Sequence, residues 1–212
     1  MIKPMTKALI AAGLLSASVV AQAGLSANLG AMSDYWFRGF DQAGADGGAS
    51  ISGGLDYEHE SGVYVGTWLA SLPGDVEYDL YAGYAGSAGD LGYSIGFTGF
   101  YYDEFDGDFE EINLGLSYGP ISLSHNIGEF DDGAGFKEDY TFTSITGEYE
   151  GAYLTYGAYG DEADGDYFEL GYGLTYEGLD MAVAYITGDD EGSAWVTDSN
   201  TITFTFGKSF DL

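Results

Sequence analysis

The chain has no cysteine and very little positive charge. Its 212 residues include 5 Lys and Arg against 35 Asp and Glu. Without cysteine there is no disulfide framework, no thiol catalysis and no thiolate metal site. Phosphate binding needs clustered Lys and Arg, so the composition also excludes nucleic acid as a partner. What remains is an acidic chain of single-domain length.

Long apolar runs and prolines are scarce as well. No stretch after residue 24 stays apolar for about 18 residues, the length at which a membrane-spanning helix is expected. The chain has 3 prolines but 35 glycines, 19 tyrosines and 13 phenylalanines. Strong acidity with few aromatics would indicate disorder, whereas this aromatic content indicates a folded chain.

The N-terminal segment 1–23 has the three parts of a secretory signal peptide. Two lysines precede an apolar run over 8–20, and Ala21-Gln22-Ala23 places small residues where signal peptidase acts. The run is shorter than the roughly 20 residues of a spanning helix, which favours cleavage after Ala23 over an uncleaved anchor. The expected product is one exported domain, 24–212.

Apolar and polar residues then alternate with a period of two, in segments of about ten residues. Strands of outer-membrane barrels show this pattern, with apolar side chains facing lipid and polar or small ones facing the lumen. In 63–71, 139–149 and 152–160 both faces carry aromatics, so the inward face stays open there. The twelve predicted strands are 25–39, 48–58, 63–71, 76–86, 91–102, 109–118, 121–129, 139–149, 152–160, 166–176, 180–187 and 199–210.

The connections between these segments alternate in length. Bacterial barrels have short periplasmic turns and longer outer loops, and an even strand count places both termini in the periplasm. The predicted short turns are 59–62, 87–90, 119–120, 150–151 and 177–179. The mostly longer, acidic loops are 40–47, 72–75, 103–108, 130–138, 161–165 and 188–198.

These features predict an all-β fold, a closed antiparallel transmembrane β-barrel of about twelve strands. Closure is required because an unpaired backbone group in hydrocarbon costs several kcal/mol. A soluble, secreted β-sandwich or β-helix has strands of similar spacing. That alternative does not explain the one-sided aromatic rows or the alternation of long and short connections.

Aromatic residues also mark the strand ends and the C-terminus. Tyrosines at strand ends suit the interfacial girdle of a barrel. They are Tyr57, Tyr84, Tyr93, Tyr118, Tyr149 and Tyr176. The last strand carries Phe204, Phe206 and Phe210, similar to the signal that the barrel assembly machinery recognises, although two residues follow Phe210. The expected partners are this machinery, periplasmic chaperones, outer-membrane lipid and lipopolysaccharide.

Three sequence stretches resemble one protein family. They are Ser33-Asp34-Tyr35-Trp36-Phe37-Arg38-Gly39-Phe40-Asp41-Gln42, Gly54-Leu55-Asp56-Tyr57-Glu58-His59-Glu60-Ser61-Gly62, and Glu77-x-Asp79-x-Tyr81-x-Gly83-Tyr84. The family is the TorF-like group of porin-like proteobacterial outer-membrane proteins, long described as conserved proteins of unknown function. This chain has Asp41 where the family usually has Ser. The resemblance implies a channel in the outer membrane of a Gram-negative bacterium, with no substrate specified.

The phase of the alternation predicts which side chains face the lumen and so form the candidate site. Ionisable side chains facing lipid at mid-depth cost ~2–4 kcal/mol for Lys or Arg and less for Asp and Glu, so they are expected inside. Carboxylate rings favour cations. The sequence therefore predicts a passive channel for small hydrophilic solutes that prefers cations. The alternative is a packed polar interior that conducts nothing. The predicted constriction residues are Asp34, Arg38, Asp56, Glu58, Glu77, Asp79, Glu111 and Glu169.

Two acidic loops offer another possibility. Residues 103–108 and 161–166 carry clustered carboxylates, which are ligands for Ca²⁺ or Mg²⁺. Neither has the spacing of the twelve-residue calcium loop, so solvated loops are expected and no metal or cofactor is assigned. A non-conducting structural or adhesive barrel, whose acidic loops bind divalent cations, is the second functional hypothesis.

A lipid hydrolase is the third hypothesis, because barrels of this size can carry Ser-His chemistry. The only histidines are His59, in a predicted periplasmic turn, and His125, on the apolar phase of a strand. Hydrolysis of outer-leaflet lipid would need a histidine at the outer rim. The sequence therefore predicts that the protein is not an enzyme.

Overall fold

The computed structural model describes residues 3–4, 24–44 and 47–212. The predicted signal peptide lies outside the described residues except for Lys3–Pro4, and its cleavage stays a prediction. Lys3–Pro4 pairs with Thr175 and Leu174 as a two-residue strand. No helix in the described residues is long and apolar enough to cross a membrane.

Twelve strands form one closed antiparallel barrel. Each strand pairs with the next, and β12 pairs with β1 from Thr205 opposite Met32 to Asp211 opposite Ser26. The predicted twelve-stranded barrel is thereby confirmed, and the sheet has no open edge. The strands are β1 Gly24–Met32, β2 Ser50–Glu58, β3 Val63–Leu72, β4 Asp75–Ala88, β5 Leu91–Tyr102, β6 Asp108–Tyr118, β7 Ile121–Asp131, β8 Lys137–Tyr149, β9 Ala152–Asp161, β10 Asp166–Tyr176, β11 Leu179–Asp189 and β12 Asn200–Asp211.

The two rims of the barrel differ in their connections. One rim, the turn end, has 59–62, 89–90, 119–120, 150–151 and 177–178. The opposite rim, the loop end, has 33–49, 73–74, 103–107, 132–136, 162–165 and 190–199. The predicted loop 72–75 is a two-residue turn, Pro73-Gly74, in which Gly74 has φ 80. The alternation is otherwise as the sequence predicts.

Alternate side chains point outward and inward along every strand. Leu29, Ile51 and Leu170 lie outside and are 62%, 69% and 58% exposed. This apolar surface is the lipid-facing skin that a membrane barrel requires. The six predicted girdle tyrosines are also exposed, and each lies beside a connection of the turn end. Phe204, Phe206 and Phe210 point outward on β12, while their role in assembly stays a prediction.

The structure assigns the inward face in the three ambiguous strands. Tyr64 and Trp68 on β3, Tyr140 and Phe142 on β8, and Tyr153 on β9 are buried inside the barrel. Glycines on neighbouring strands make room for these rings. A Cβ built on Gly171 would lie 2.2 Å from the Tyr153 ring. Aromatics therefore occupy both faces, because interior rings pack over glycine just as exterior rings contact lipid.

The first strand is shorter than predicted. The sequence predicts 25–39, but β1 ends at Met32. Ser33 then closes the ladder, since its backbone N donates to the Phe204 carbonyl and its Oγ accepts from the Phe204 N. The following residues leave the sheet and enter the lumen, where Tyr35 and Trp36 become buried. The alternation of a continuous strand therefore does not apply to Asp34, Trp36 and Arg38.

Candidate functional site in the barrel lumen

Residues 35–42 form a hairpin inside the barrel, the plug hairpin. Trp36–Phe37 pairs with Phe40–Asp41, and Phe37 lies opposite Phe40. Arg38 and Gly39 between them have φ 51 and φ 83. Positive φ at both central residues is what a type I′ turn requires, and glycine accepts it readily. The turn places Arg38 at the hairpin tip.

Arg38 forms a forked ion pair with Glu111 on β6. Its Nη1 contacts Glu111 Oε1, and its Nη2 lies 3.0 Å from Oε2. Tyr140 and Asn113 also donate to Glu111, each at 2.9 Å. Every carboxylate oxygen of Glu111 therefore has at least two donors, which is what a buried ion pair needs to be tolerated.

Aromatic rings enclose the Arg38 guanidinium. Its Cζ lies 4.7 Å from the Phe37 ring centroid and 4.5 Å from that of Phe142. Such cation–π contacts strengthen when water is excluded. The tip of the plug hairpin is thus held by one ion pair and two ring contacts.

The base of the plug hairpin contacts β4 and the 190–199 loop. Tyr35 Oη donates to Glu77 Oε1 at 2.8 Å. Thr197 Oγ1 accepts from the Asp41 backbone N at 2.9 Å, and Thr197 N donates to the Gly39 carbonyl at 3.0 Å. The plug hairpin is therefore anchored to the barrel wall on one side and to a surface loop on the other.

The predicted constriction carboxylates on the loop-end half of the strands are buried. Glu77, Asp79 and Glu111 are 1%, 0% and 1% exposed, so these three side chains are shielded from water in the structure. Glu77 Oε2 and both carboxyl oxygens of Asp79 have no hydrogen-bond partner among the described residues. Glu169, on β10, accepts from Tyr153 Oη at 2.6 Å. All four side chains are buried inside the barrel, and their role as a constriction stays a prediction.

A second, smaller group lies toward the turn end. Asp56 accepts from Asn28 Nδ2 at 3.1 Å and from Tyr81 Oη. Glu58 ends the same strand on the same face. The predicted constriction residues on the strands are therefore divided between two depths, with four near the loop end and two near the turn end.

Asp34 reaches the lumen by a different route from the predicted one. It follows β1 rather than lying on it, and its Oδ2 accepts from Trp36 Nε1 at 2.9 Å. Burial, together with the nearby Asp34, raises the pKa of the Asp41 carboxyl in the same segment. The segment that carries the plug hairpin thus adds acidic groups as well as one arginine.

Interior tyrosines are part of the candidate site, and the alternation argument misses them. Tyr35, Tyr81, Tyr140 and Tyr153 each donate a hydroxyl hydrogen bond to a predicted site carboxylate. The sequence does carry a sign of this role at Tyr81, because Tyr81 alternates in phase with Glu77 and Asp79 and is therefore expected to point inward with them. Tyrosine on the polar phase therefore indicates a hydroxyl partner for a lumen acid.

The acidic loop 103–107 is held by a carboxylate from a neighbouring strand. The Asp75 carboxylate accepts from the backbone N of Asp103, Glu104 and Phe105, at 2.9, 2.9 and 3.1 Å, and so fixes the start of the 103–107 loop. Among residues 3–4, 24–44 and 47–212, no group of three or more His, Cys, Asp or Glu could hold a metal ion.

Both histidines have hydroxyl neighbours. His59 Nδ1 lies 2.9 Å from Ser61 Oγ and accepts from the Ser61 backbone N, within the exposed 59–62 turn. His125 Nδ1 lies 2.8 Å from Thr143 Oγ1 on the next strand. His125 lies on the outward face of β7, so neither histidine adjoins the lumen carboxylates.

A cavity of about 500 Å³ opens at the loop end, above the plug hairpin. We refer to it as the mouth cavity. Arg38 and Phe37 of the plug hairpin form part of its wall, together with Trp195 of the 190–199 loop. The strand ends supply further rings, Phe100, Tyr102, Phe109, Phe130, Tyr140 and Tyr159. This cavity reaches the Arg38 side chain at the tip of the plug hairpin.

Comparison with protein families identifies the chain at a general level. The sequence matches the family described as "Bacterial protein of unknown function (Gcw_chp)" over residues 16–210. The chain belongs to the Gcw_chp family. No curated protein matches the sequence. The TorF-like label given by the sequence resemblance stays a prediction for this Gcw_chp protein.

Solved structures share the barrel fold. A structure of the KdgM porin aligns with a TM-score of 0.57 at 8% identity, covering 88% of this chain and 99% of that chain. The KdgM porin in complex with disordered oligogalacturonate aligns with a TM-score of 0.55 at 6% identity, covering 89% and 98%. A structure from work on in-meso crystallization of membrane proteins gives 0.53 at 15% identity, covering 89% and 83%. At these identities the similarity establishes the fold.

Proposed function

We propose that this Gcw_chp protein is an outer-membrane channel of the porin type for small hydrophilic solutes, with a preference for cations. One observation carries the proposal: buried carboxylates line the interior of the closed barrel, and the single arginine of the plug hairpin pairs with one of them, Glu111. The twelve-stranded fold shared with porins supports the outer membrane as the location.

The charge balance of the lumen supports the cation preference. Among residues 24–44 and 47–212, Arg38 is the one basic side chain inside the barrel, since Lys137 pairs with Glu129 and Asp131 at the rim and Lys208 lies on the outward face over Phe210. Acidic side chains outnumber it at both depths. A carboxylate-lined pore attracts cations and repels anions.

The plug hairpin sets the state of the channel. The Glu111 carboxylate at its tip is shielded from water, and this supports a lumen that the hairpin closes until it moves. Its contacts are discrete: the Arg38–Glu111 pair, the Tyr35–Glu77 hydrogen bond and the Thr197 contacts. A segment held by a few replaceable contacts is suited to two positions, one that closes the lumen and one that opens it.

The ligand of the structural relative is not the solute that we propose for this chain. One KdgM structure contains oligogalacturonate, an acidic sugar chain. The excess of carboxylates here would repel such a molecule. The shared fold therefore supports solute passage in general, and the lumen charges support solutes of the opposite sign.

Planar-bilayer recording of the refolded protein tests the proposal. In a KCl gradient we expect a reversal potential of the sign that K⁺ preference gives. The Glu169→Gln variant should reduce that potential, because it removes one lumen charge and keeps a hydrogen-bond acceptor for Tyr153. Glu60→Gln, in the exposed 59–62 turn, is the matched control and should leave it unchanged. Absence of conductance, or a Cl⁻ preference, would overturn the proposal.

A further inference from the structure

We propose that the mouth cavity binds an organic cation, namely a quaternary or protonated amine carried on an aromatic or aliphatic body. This goes beyond the proposed channel and does not depend on it, because it concerns equilibrium binding at the rim. Its volume of about 500 Å³ lies within the range of small-molecule sites. The argument rests on the rings and on the charges that line it.

Trp195 forms one corner of the cavity with three other rings. Its centroid lies 4.5 Å from that of Tyr140, 5.4 Å from Tyr159 and 5.8 Å from Phe109. The contacts are tilted or edge-to-face, so these rings pack against one another as one aromatic wall, and all four line the cavity. Aromatic faces attract cations electrostatically, and a group of them is the usual recognition site for quaternary ammonium.

A second group of rings continues the wall. Phe130 lies 4.8 Å from Phe109 and 6.1 Å from Phe105, and Phe37 lies 5.7 Å from Phe100. The protein's own cation already uses this chemistry at the cavity floor, where the Arg38 guanidinium lies over the Phe37 ring. A ligand cation above it would find the same kind of surface.

The charged side chains that line the cavity favour a positively charged ligand. Its charged lining residues are Arg38, Asp75 and Glu138. Glu111 neutralises Arg38 through the forked pair, which leaves two carboxylates without a cationic partner in the cavity wall. Glu138 also fixes the indole of Trp195, because its Oε1 accepts from Trp195 Nε1 at 2.8 Å. The site therefore combines a positioned ring with an adjacent negative charge.

Neutral and anionic ligands gain less from this arrangement. A neutral ring would gain from apolar burial alone, and an anion would face the carboxylates. A matched set of three probes separates these cases: 3-hydroxyphenyltrimethylammonium, its neutral isostere 3-tert-butylphenol, and the anion 3-hydroxybenzoate. Calorimetric titration of the folded protein in detergent is the measurement, and titration of the same detergent without protein gives the baseline for partition into micelles.

We expect the cation to bind saturably and roughly tenfold more tightly than either other probe, as a desolvated cation–π site implies. Trp195→Leu should weaken the cation at least fivefold, whereas Phe204→Leu, on the lipid face, should leave it unchanged. Glu138→Gln keeps the acceptor for the indole and removes the charge, so it should weaken the cation several-fold and leave 3-tert-butylphenol unaffected.

Three results would overturn the inference: equal binding of the neutral isostere, tighter binding of the anion, or no saturable cation binding at about 10 mM, where only weak contacts survive. If Trp195→Leu does not fold, the Glu138→Gln variant carries the test, because it preserves shape. Cation binding without conductance would support this site and contradict the proposed channel. Conductance without cation binding would support the channel and contradict this site.

Discussion

Arg38, at the tip of the plug hairpin, and Glu111, on β6, form a forked ion pair inside the barrel although 73 residues separate them in the sequence. The side chain of Glu111 is fully buried and that of Arg38 is 12% exposed. The pair thus joins the tip of the plug hairpin to the wall of the barrel. Its removal is the most direct way to release the plug hairpin.

The first prediction concerns this pair. Arg38→Met leaves the Glu111 charge buried without its cation, and we expect a loss of about 3–5 kcal/mol in the free energy of unfolding. The double variant Arg38→Met/Glu111→Leu removes both charges and should recover most of that loss. Urea unfolding of the folded protein in lipid vesicles measures both. A double variant as unstable as the single one would contradict the prediction.

The second prediction concerns the turn of the plug hairpin. Gly39 has φ 83, and a Cβ built on it would lie 2.7 Å from Tyr167 Cβ. Gly39→Ala should therefore displace the plug hairpin from the wall and raise the single-channel conductance. Gly44→Ala is the matched control, because Gly44 has φ 71 with nothing within 4 Å of the added Cβ. If both variants raise the conductance equally, backbone strain rather than contact with Tyr167 is responsible; if Gly39→Ala leaves it unchanged, the prediction is wrong.

The third prediction concerns glycines beneath interior rings. Gly171→Ala forces the Tyr153 ring away and weakens its hydrogen bond to Glu169, so we expect a loss of about 1–3 kcal/mol, typical of overpacking. Gly147→Ala is the control, since a Cβ there would meet only Ile121 Cδ1, at 3.6 Å. Its stability should be unchanged or slightly raised. An equal loss of stability in both variants would contradict the prediction, because it would show that the glycines matter for backbone conformation and not for the room they leave for a neighbouring ring.

The twelve strands follow from the sequence because each strand alternates and each connection carries turn residues. The Phe168–Tyr176 pattern, for example, gives β10 with the correct inward residue, Glu169. Alternation can be recognised within a single strand, so predicting it requires no information about the neighbouring strands. The barrel and the inward carboxylates could be predicted for that reason.

The plug hairpin could not be predicted by the same reasoning. Residues 33–39 continue the alternation of β1, and only the Arg38-Gly39 pair hints at a two-residue turn. Whether the chain continues as strand or folds inward depends on distant partners such as Glu111 and Thr197, which alternation does not encode. The pairing of tyrosines with carboxylates depends on cross-strand register, which the sequence leaves open in the same way.

Movement of the plug hairpin is the central claim, and a disulfide tests it most directly. The chain has no cysteine of its own, so Asp41→Cys/Thr197→Cys, placed where these two residues contact each other, adds one defined crosslink. Bilayer conductance is measured before and after reduction. We predict no conductance in the oxidised protein and K⁺-preferring conductance in the reduced one. Equal conductance in both states, or none in either, would contradict the account.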